Sequence, residues 1–218
     1  MGLWVIWQTR EPLEPADIAL QGIADPGRPL RITLFGTSLT ANYDWPERLA
    51  ARLATCLRSP SLISRVTRPG AGSEWGLTQV AEVAATTPDI LLMEFAINDA
   101  DLRDGQSLAS STVTHRSLVA ALQATLPDTR IVLMTMSPAQ GPRGWIRPWL
   151  GAHYAMYRDL TAERGVGLID LYPRWLALPR DERGLRADGL HPDRDVAARM
   201  IVPVLAGYLA DAVGHHCL

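Results

Sequence analysis

Residues 31–40 read Arg31-Ile32-Thr33-Leu34-Phe35-Gly36-Thr37-Ser38-Leu39-Thr40: a compact apolar run that stops at a glycine and gives way to three hydroxyl side chains. A run of this length, bounded by turn formers, predicts a strand over Ile32–Phe35 that is buried on both faces. Runs of the same kind recur at Leu62–Val66, Ile90–Ile97, Ile131–Met136 and Gly167–Leu171. Between them lie longer segments with helical spacing: Trp45–Leu57, Glu74–Ala85, Leu108–Leu126 and Trp149–Arg164, with a last helix from Asp193 to about Ala212. Five strands alternating with five helices predict an α/β fold on a five-stranded parallel sheet.

Working outward from that core, the last helix has a clear start. Pro192 suits a first helical position, and Asp193 and Asp195 complement the helix N-terminal dipole. Pro203 falls inside it and predicts a kink or break, because proline removes a backbone donor and crowds the preceding turn. Residues 1–30 differ from the rest. Trp4–Trp7 reads as a short strand, and Glu11-Pro12, Glu14-Pro15 and Asp25-Pro26-Gly27 punctuate the stretch between it and the first core strand. The expectation is an N-terminal extension, 1–30, packed on a single domain, 31–218.

Composition narrows the function. The chain has 218 residues, 47% apolar and 20% charged, with a mean hydropathy of +0.02. That is a globular composition, and a core of this size should remove roughly 70% of the unfolded chain's surface from water. A net charge of −2, from 21 basic and 23 acidic residues, provides no broad field for nucleic acid or an anionic membrane. All the basic residues are arginine, which excludes a lysine nucleophile, a Schiff-base lysine and a P-loop lysine. Cys56 and Cys217 form no C-x-x-C pair, so neither a redox motif nor a zinc site is read. The apolar start MGLWVIWQTR is too short to span a bilayer and lacks the flanks of a signal peptide. The cytoplasm is therefore the default expectation, with no cofactor and no metal.

In an open parallel sheet, ligands bind beyond the carboxyl ends of the strands. The residues there are Gly36-Thr37-Ser38 after the first strand, Gly70-Ala71-Gly72-Ser73 after the second and Asn98-Asp99 after the third. Asp188-Gly189-Leu190-His191-Pro192 precedes the last helix. Taken singly, each has an ordinary reading as a helix cap, a turn or a surface polar residue.

Taken together and in this order, they resemble the four blocks of the SGNH hydrolases, also called GDSL esterases and lipases, over most of the chain from Leu34 to Pro192. The resemblance implies a three-layer, flavodoxin-like α/β/α sandwich and a serine esterase acting on a small acyl ester, such as an acetyl group on a carbohydrate. It implies Ser38 as nucleophile, His191 as base and Asp188 as the acid that orients the imidazole. The backbone N–H groups of Ser38 and Gly72 and the side-chain amide of Asn98 would then be the oxyanion donors. The chemistry fits the residue types: serine needs a base at neutral pH, and a developing oxyanion needs donors already aimed at it. Two positions depart from the family pattern. Gly-Asp-Ser is Gly-Thr-Ser here, so Thr37 brings no carboxylate to the nucleophile loop, and Ala96 replaces a glycine before Asn98.

Other residues carry weaker signals. Glu94 lies in an apolar strand and reads as a structural acid, bonded to backbone or to an arginine. Asp99 reads as a residue that shapes the loop, and His115 and His153 as structural. Trp75, Arg143, Trp145 and Arg147 are placed on a substrate wall, with packing of the loop as the equal alternative. Two other function classes compete. A nucleotide-binding turn at Gly70-Ala71-Gly72 fails because Gly76 comes one residue late for G-x-G-x-x-G. Acyl transfer through the same site, or a silent binding protein on the same fold, stays open.

Overall fold

The structure is a computed structural model that describes residues 14–20, 23, 27–104 and 106–217. The segment Trp4–Trp7 lies outside the described residues. The strands are β1 (Leu30–Gly36), β2 (Ser61–Thr67), β3 (Ile90–Glu94), β4 (Arg130–Thr135) and β5 (Gly167–Asp170). They form one parallel sheet in the order β2-β1-β3-β4-β5. The connections run in opposite directions on either side of the β1/β3 pair, so the crevice of the fold opens beyond the ends of those two strands.

The longer helices are α2 (Trp45–Leu57), α6 (Leu108–Thr125), α8 (Leu150–Arg164) and α10 (Arg194–Ala212). Shorter ones are α1 (Ser38–Ala41), α3 (Ser73–Thr78), α4 (Val80–Ala85), α5 (Ala96–Asp99), α7 (Gly141–Trp145) and α9 (Leu171–Leu176). Helix α2 packs against α10, and α6 against α3, α4 and α8. The apolar strand residues, among them Ile32, Leu34, Ile90, Leu92, Val132 and Ile169, are buried at the centre. Burial on both faces is what their unbroken apolar runs require. On the free edge of β5, Ile18 exchanges two backbone hydrogen bonds with Leu168 (2.9 and 3.0 Å). Asp17 accepts from the Asp170 N–H and pairs with Arg174. These contacts cover a strand edge that would otherwise be open to pairing.

Three sequence expectations are corrected, and a disulfide is present that the sequence does not predict. Strand β3 ends at Glu94 instead of Ile97. The Tyr157 hydroxyl accepts the N–H groups of Phe95 (3.0 Å) and Ala96 (3.1 Å), so the chain leaves the sheet there and turns into α5. The helix expected over Glu74–Ala85 is two helices that meet at Gln79. The Thr78 hydroxyl bonds back to the Trp75 carbonyl at the break (2.7 Å), competing with the helical ladder. Helix α10 runs through Pro203 without a break. Pro203 and Arg199 lie on the exposed side, where solvent can meet the carbonyl that loses its donor. Finally, Cys56 and Cys217 form a disulfide, with Cα atoms 5.1 Å apart. It ties the end of α2 to the segment after α10.

Candidate active site

The turn that carries Ser38 is built at the end of β1. Thr37 is extended and caps α1, its hydroxyl accepting from the Leu39 N–H (3.2 Å). Ser38 is the first residue of that helix, so its own N–H has no intrahelical partner and makes no bond to the described residues. The Ser38 side chain is 7% exposed, and its Oγ lies 2.9 Å from His191 Nε2.

His191 comes from a closed loop before α10. The Asp193 N–H donates to the Gly184 carbonyl (2.7 Å) and the Arg186 N–H to the His191 carbonyl (2.9 Å). Gly189 sits at φ +69°, and the Gln140 carbonyl occupies the space a side chain would need, so only glycine fits this turn. That turn lets both Asp188 and His191 face inward. Asp188 Oδ1 accepts the N–H groups of Leu190 (2.9 Å) and His191 (3.0 Å), while Oδ2 lies 2.7 Å from His191 Nδ1. The buried Tyr43 hydroxyl holds the loop by donating to the Pro192 carbonyl (2.7 Å).

These contacts fix the imidazole tautomer. Partial burial pushes the Asp188 carboxyl up, but the N–H groups of His191 and Leu190 and the adjacent imidazole outweigh it and hold it at about 2. The carboxylate is thus ionised at neutral pH and can only accept, so Nδ1 carries the proton and Nε2 is left as the acceptor facing Ser38.

The opposite wall comes from β2 and β3. Gly72 caps α3, and its N–H makes no bond to the described residues. Asn98, on α5, is 6% exposed. Its amide donates one hydrogen to the Ala71 carbonyl (2.8 Å), leaving the second available. Asp99 locks the two segments together. Its Oδ1 accepts the Ser73 N–H (2.8 Å), and its Oδ2 accepts the hydroxyls of Ser73 (2.5 Å) and Ser111 (2.7 Å). The loop-shaping role read from the sequence is here a tie between the turn holding Gly72 and the helix holding Asn98.

A buried network supports that helix from below. Tyr157, whose hydroxyl accepts two backbone N–H groups, has its one proton left for His115 Nε2 (3.0 Å). His115 then donates from Nδ1 to the Ser111 carbonyl (2.9 Å). Burial pushes the His115 imidazole down, against the opposing pull of Asp99 and the Ser111 carbonyl, which agrees with this neutral form.

Glu94 is buried and accepts from the Thr37 N–H (2.6 Å) and from the hydroxyls of Thr37 and Thr40. No arginine pairs with it among the described residues.

The residues expected on the substrate wall separate into two places. Trp75 is half-buried against Phe35 and Phe95. With Arg68, Gly72, Asn98 and Gln106 it lines a cavity of about 270 Å³. Trp145 is 77% exposed. It lines a second recess, of about 390 Å³, with Gln140, Tyr172 and Arg180. This recess adjoins the histidine loop, because the Gln140 N–H donates to the Gly189 carbonyl (2.7 Å). Arg143 is half-buried, and its carbonyl accepts from Arg147 (3.2 Å). Arg147 borders the same recess but turns its guanidinium inward, to Asp101 (2.7 Å) and the Ile97 carbonyl (2.8 Å). Burial lowers its pKa, and its charge braces α5 instead of facing solvent.

The sheet order and the line of hydroxyl, imidazole and carboxylate at its carboxyl edge mark out a class, the carboxylic ester hydrolases built on a parallel α/β sheet. Within it, the chain belongs to the GDSL-like Lipase/Acylhydrolase family, whose model matches residues 34–199. Among solved structures it is similar to a lipase/acylhydrolase from Enterococcus faecalis, with 23% identity over 82% of this chain and 96% of that one and a TM-score of 0.70. An acetylxylan esterase from Geobacillus stearothermophilus matches at 16% identity over 85% of this chain and 97% of that one, TM-score 0.69. A peptidoglycan O-acetylesterase matches at 12% identity over 85% and 92%, TM-score 0.71. No curated protein matches the sequence significantly. No helix among the described residues is long and apolar enough to cross a membrane.

Proposed function

We propose that the protein hydrolyses a small acyl ester, an acetyl group on a carbohydrate-like alcohol, through an acyl-enzyme on Ser38. The observation that carries this reading is the unbroken line from Ser38 Oγ to His191 Nε2 (2.9 Å) and from His191 Nδ1 to Asp188 (2.7 Å). Ser38 attacks the carbonyl carbon as Nε2 takes its proton, forming the Oγ–C bond and a tetrahedral oxyanion. The imidazolium, steadied by Asp188, returns the proton to the departing alkoxide as the ester C–O bond breaks. Water, activated by the same imidazole, then releases the acid and restores the hydroxyl.

The oxyanion is met by the N–H groups of Ser38 and Gly72 and by the second amide hydrogen of Asn98. Asn98→Ala is expected to lower kcat about 10²- to 10³-fold with KM little changed, because the donor acts on charge that develops only in the transition state. A change confined to KM contradicts that role. A short acyl group and a sugar-like alcohol suit the recesses beside Trp75 and Trp145, where aromatic faces lie among polar groups. Comparing kcat/KM for p-nitrophenyl acetate, butyrate and octanoate tests this. Acetate should be preferred, and a preference for octanoate rejects it. Product analysis with an added sugar acceptor separates hydrolysis from transfer.

The pH dependence follows from Asp188. Its carboxyl is depressed to about 2, so it contributes stability above the ordinary carboxylate range that is lost only as the pH falls towards 2. Asp188 therefore stays ionised throughout the range in which an imidazole titrates. The acid limb of kcat/KM should carry no contribution from Asp188. A profile flat from pH 8 to pH 5 argues against a histidine base.

A further inference from the structure

We infer that Glu94 is a positioning residue for Ser38: delivered from β3, its carboxylate fixes the nucleophile turn from beneath and takes the place of the acid that the family pattern carries at position 37. This rests on the reading of Ser38 as nucleophile.

The contacts lie on both sides of the serine. Glu94 Oε1 accepts the Thr37 N–H (2.6 Å) and the Thr40 hydroxyl (2.9 Å), and Oε2 accepts the Thr37 hydroxyl (2.9 Å). Only Ser38 and Leu39 lie between the two anchored residues. The Thr37 hydroxyl also caps the first turn of α1, so one carboxylate sets the direction in which both the Ser38 side chain and its N–H leave the backbone. The register pairs Gly36 with Glu94, and the carboxylate fills the space where a side chain at position 36 would start. The glycine before the nucleophile is therefore the other half of the same device.

Stability alone does not account for this acid. Among the described residues, the groups that meet its charge are N–H and O–H donors. The titratable groups of helix α8 that act electrostatically with Glu94 are Tyr154, whose hydroxyl donates to the Ser137 carbonyl (3.1 Å), and Tyr157, engaged with Phe95, Ala96 and His115. Burial pushes the Glu94 carboxyl up to about 7, against the pull of its three donors. With the folded-state value raised, its contribution to stability is greatest below the ordinary carboxylate range and is lost as the pH rises through about 7. At neutral pH an apolar residue would be the cheaper occupant of a buried strand. What the carboxylate supplies is a shape: acceptors aimed at three donors around the reacting hydroxyl, where a displacement of about 1 Å costs on the order of a hundredfold in rate.

Three variants test this, each assayed for kcat and KM on p-nitrophenyl acetate, for the rate of labelling by a fluorophosphonate and for thermal melting. Glu94→Gln keeps the shape and reverses one of the three bonds. Its carbonyl can accept the Thr37 N–H and the Thr40 hydroxyl while its amide donates to the Thr37 hydroxyl, so activity should stay within about tenfold of wild type. Glu94→Met fills the space without acceptors and should lower kcat and the labelling rate together by about a hundredfold, with KM within about threefold. Thr40→Val, which removes one donor and decides the matter if Glu94→Met does not fold, should lower both by about tenfold. Folded Glu94→Met, or failing that Thr40→Val, with kcat and labelling within twofold of wild type overturns the inference. So does a loss confined to KM. Failure of wild-type Ser38 to label at all would instead remove the nucleophile reading beneath it.

Discussion

Replacement of Ser38 by alanine is expected to lower kcat on p-nitrophenyl acetate by on the order of a millionfold, to the level that binding and the oxyanion donors supply alone. The size follows from what is removed. Oγ is the atom that forms the covalent bond, and without it the imidazole of His191, held by Asp188, has no hydroxyl proton to take. The Ser38 hydroxyl makes one side-chain hydrogen bond, to His191, so the variant should melt within a degree or two of the wild type. Ser38→Ala enzyme retaining more than about a hundredth of wild-type turnover would reject the assignment.

The largest effect on stability is expected from the disulfide. Cys56 and Cys217 are 161 residues apart in sequence, and closing a loop of that length in the unfolded chain is worth about 5 kcal/mol in the chain-entropy account. Cys56→Ser paired with Cys217→Ser should therefore lower the melting temperature by roughly 10–20 °C for a domain of this size. kcat at 25 °C should be nearly unchanged. The α2–α10 pair remains packed, and at its other end Arg48 bridges Asp44 and Asp195. A fall in melting temperature of under about 2 °C contradicts this expectation. Such a bond persists in oxidising surroundings and is rare in the cytosol.

Legibility followed the range of the interactions involved. Ile32–Phe35 and the other apolar runs report burial of the sheet directly, and the strand ends report the crevice. Ser38, Gly72, Asn98, Asp188 and His191 could be picked out because, taken in order, they resemble the four blocks of a known family. Much of what the sequence does not show depends on partners remote in the chain. The end of β3 depends on a hydroxyl at Tyr157, more than sixty residues away. The pairing of Cys56 with Cys217 depends on how α2 meets α10. The inward turn of Arg147 depends on Asp101, and nothing in the loop sequence marks it.

Glu94 shows the same limit in finer detail. An acid in an apolar strand signals a buried partner, and the sequence points to backbone or arginine there. The partners are the N–H of Thr37 and the hydroxyls of Thr37 and Thr40, beside the glycine that makes room for them. The departure at Thr37 and the odd acid at Glu94 are two parts of one arrangement, which only the β1/β3 register brings together.

Ser38 as nucleophile is tested most directly by peptide mapping with mass spectrometry after treatment with a fluorophosphonate. A single adduct is expected, on Ser38, and its formation should parallel the loss of esterase activity. An enzyme that is fully inactivated with the adduct on another residue, or that remains active with Ser38 modified, would contradict the assignment.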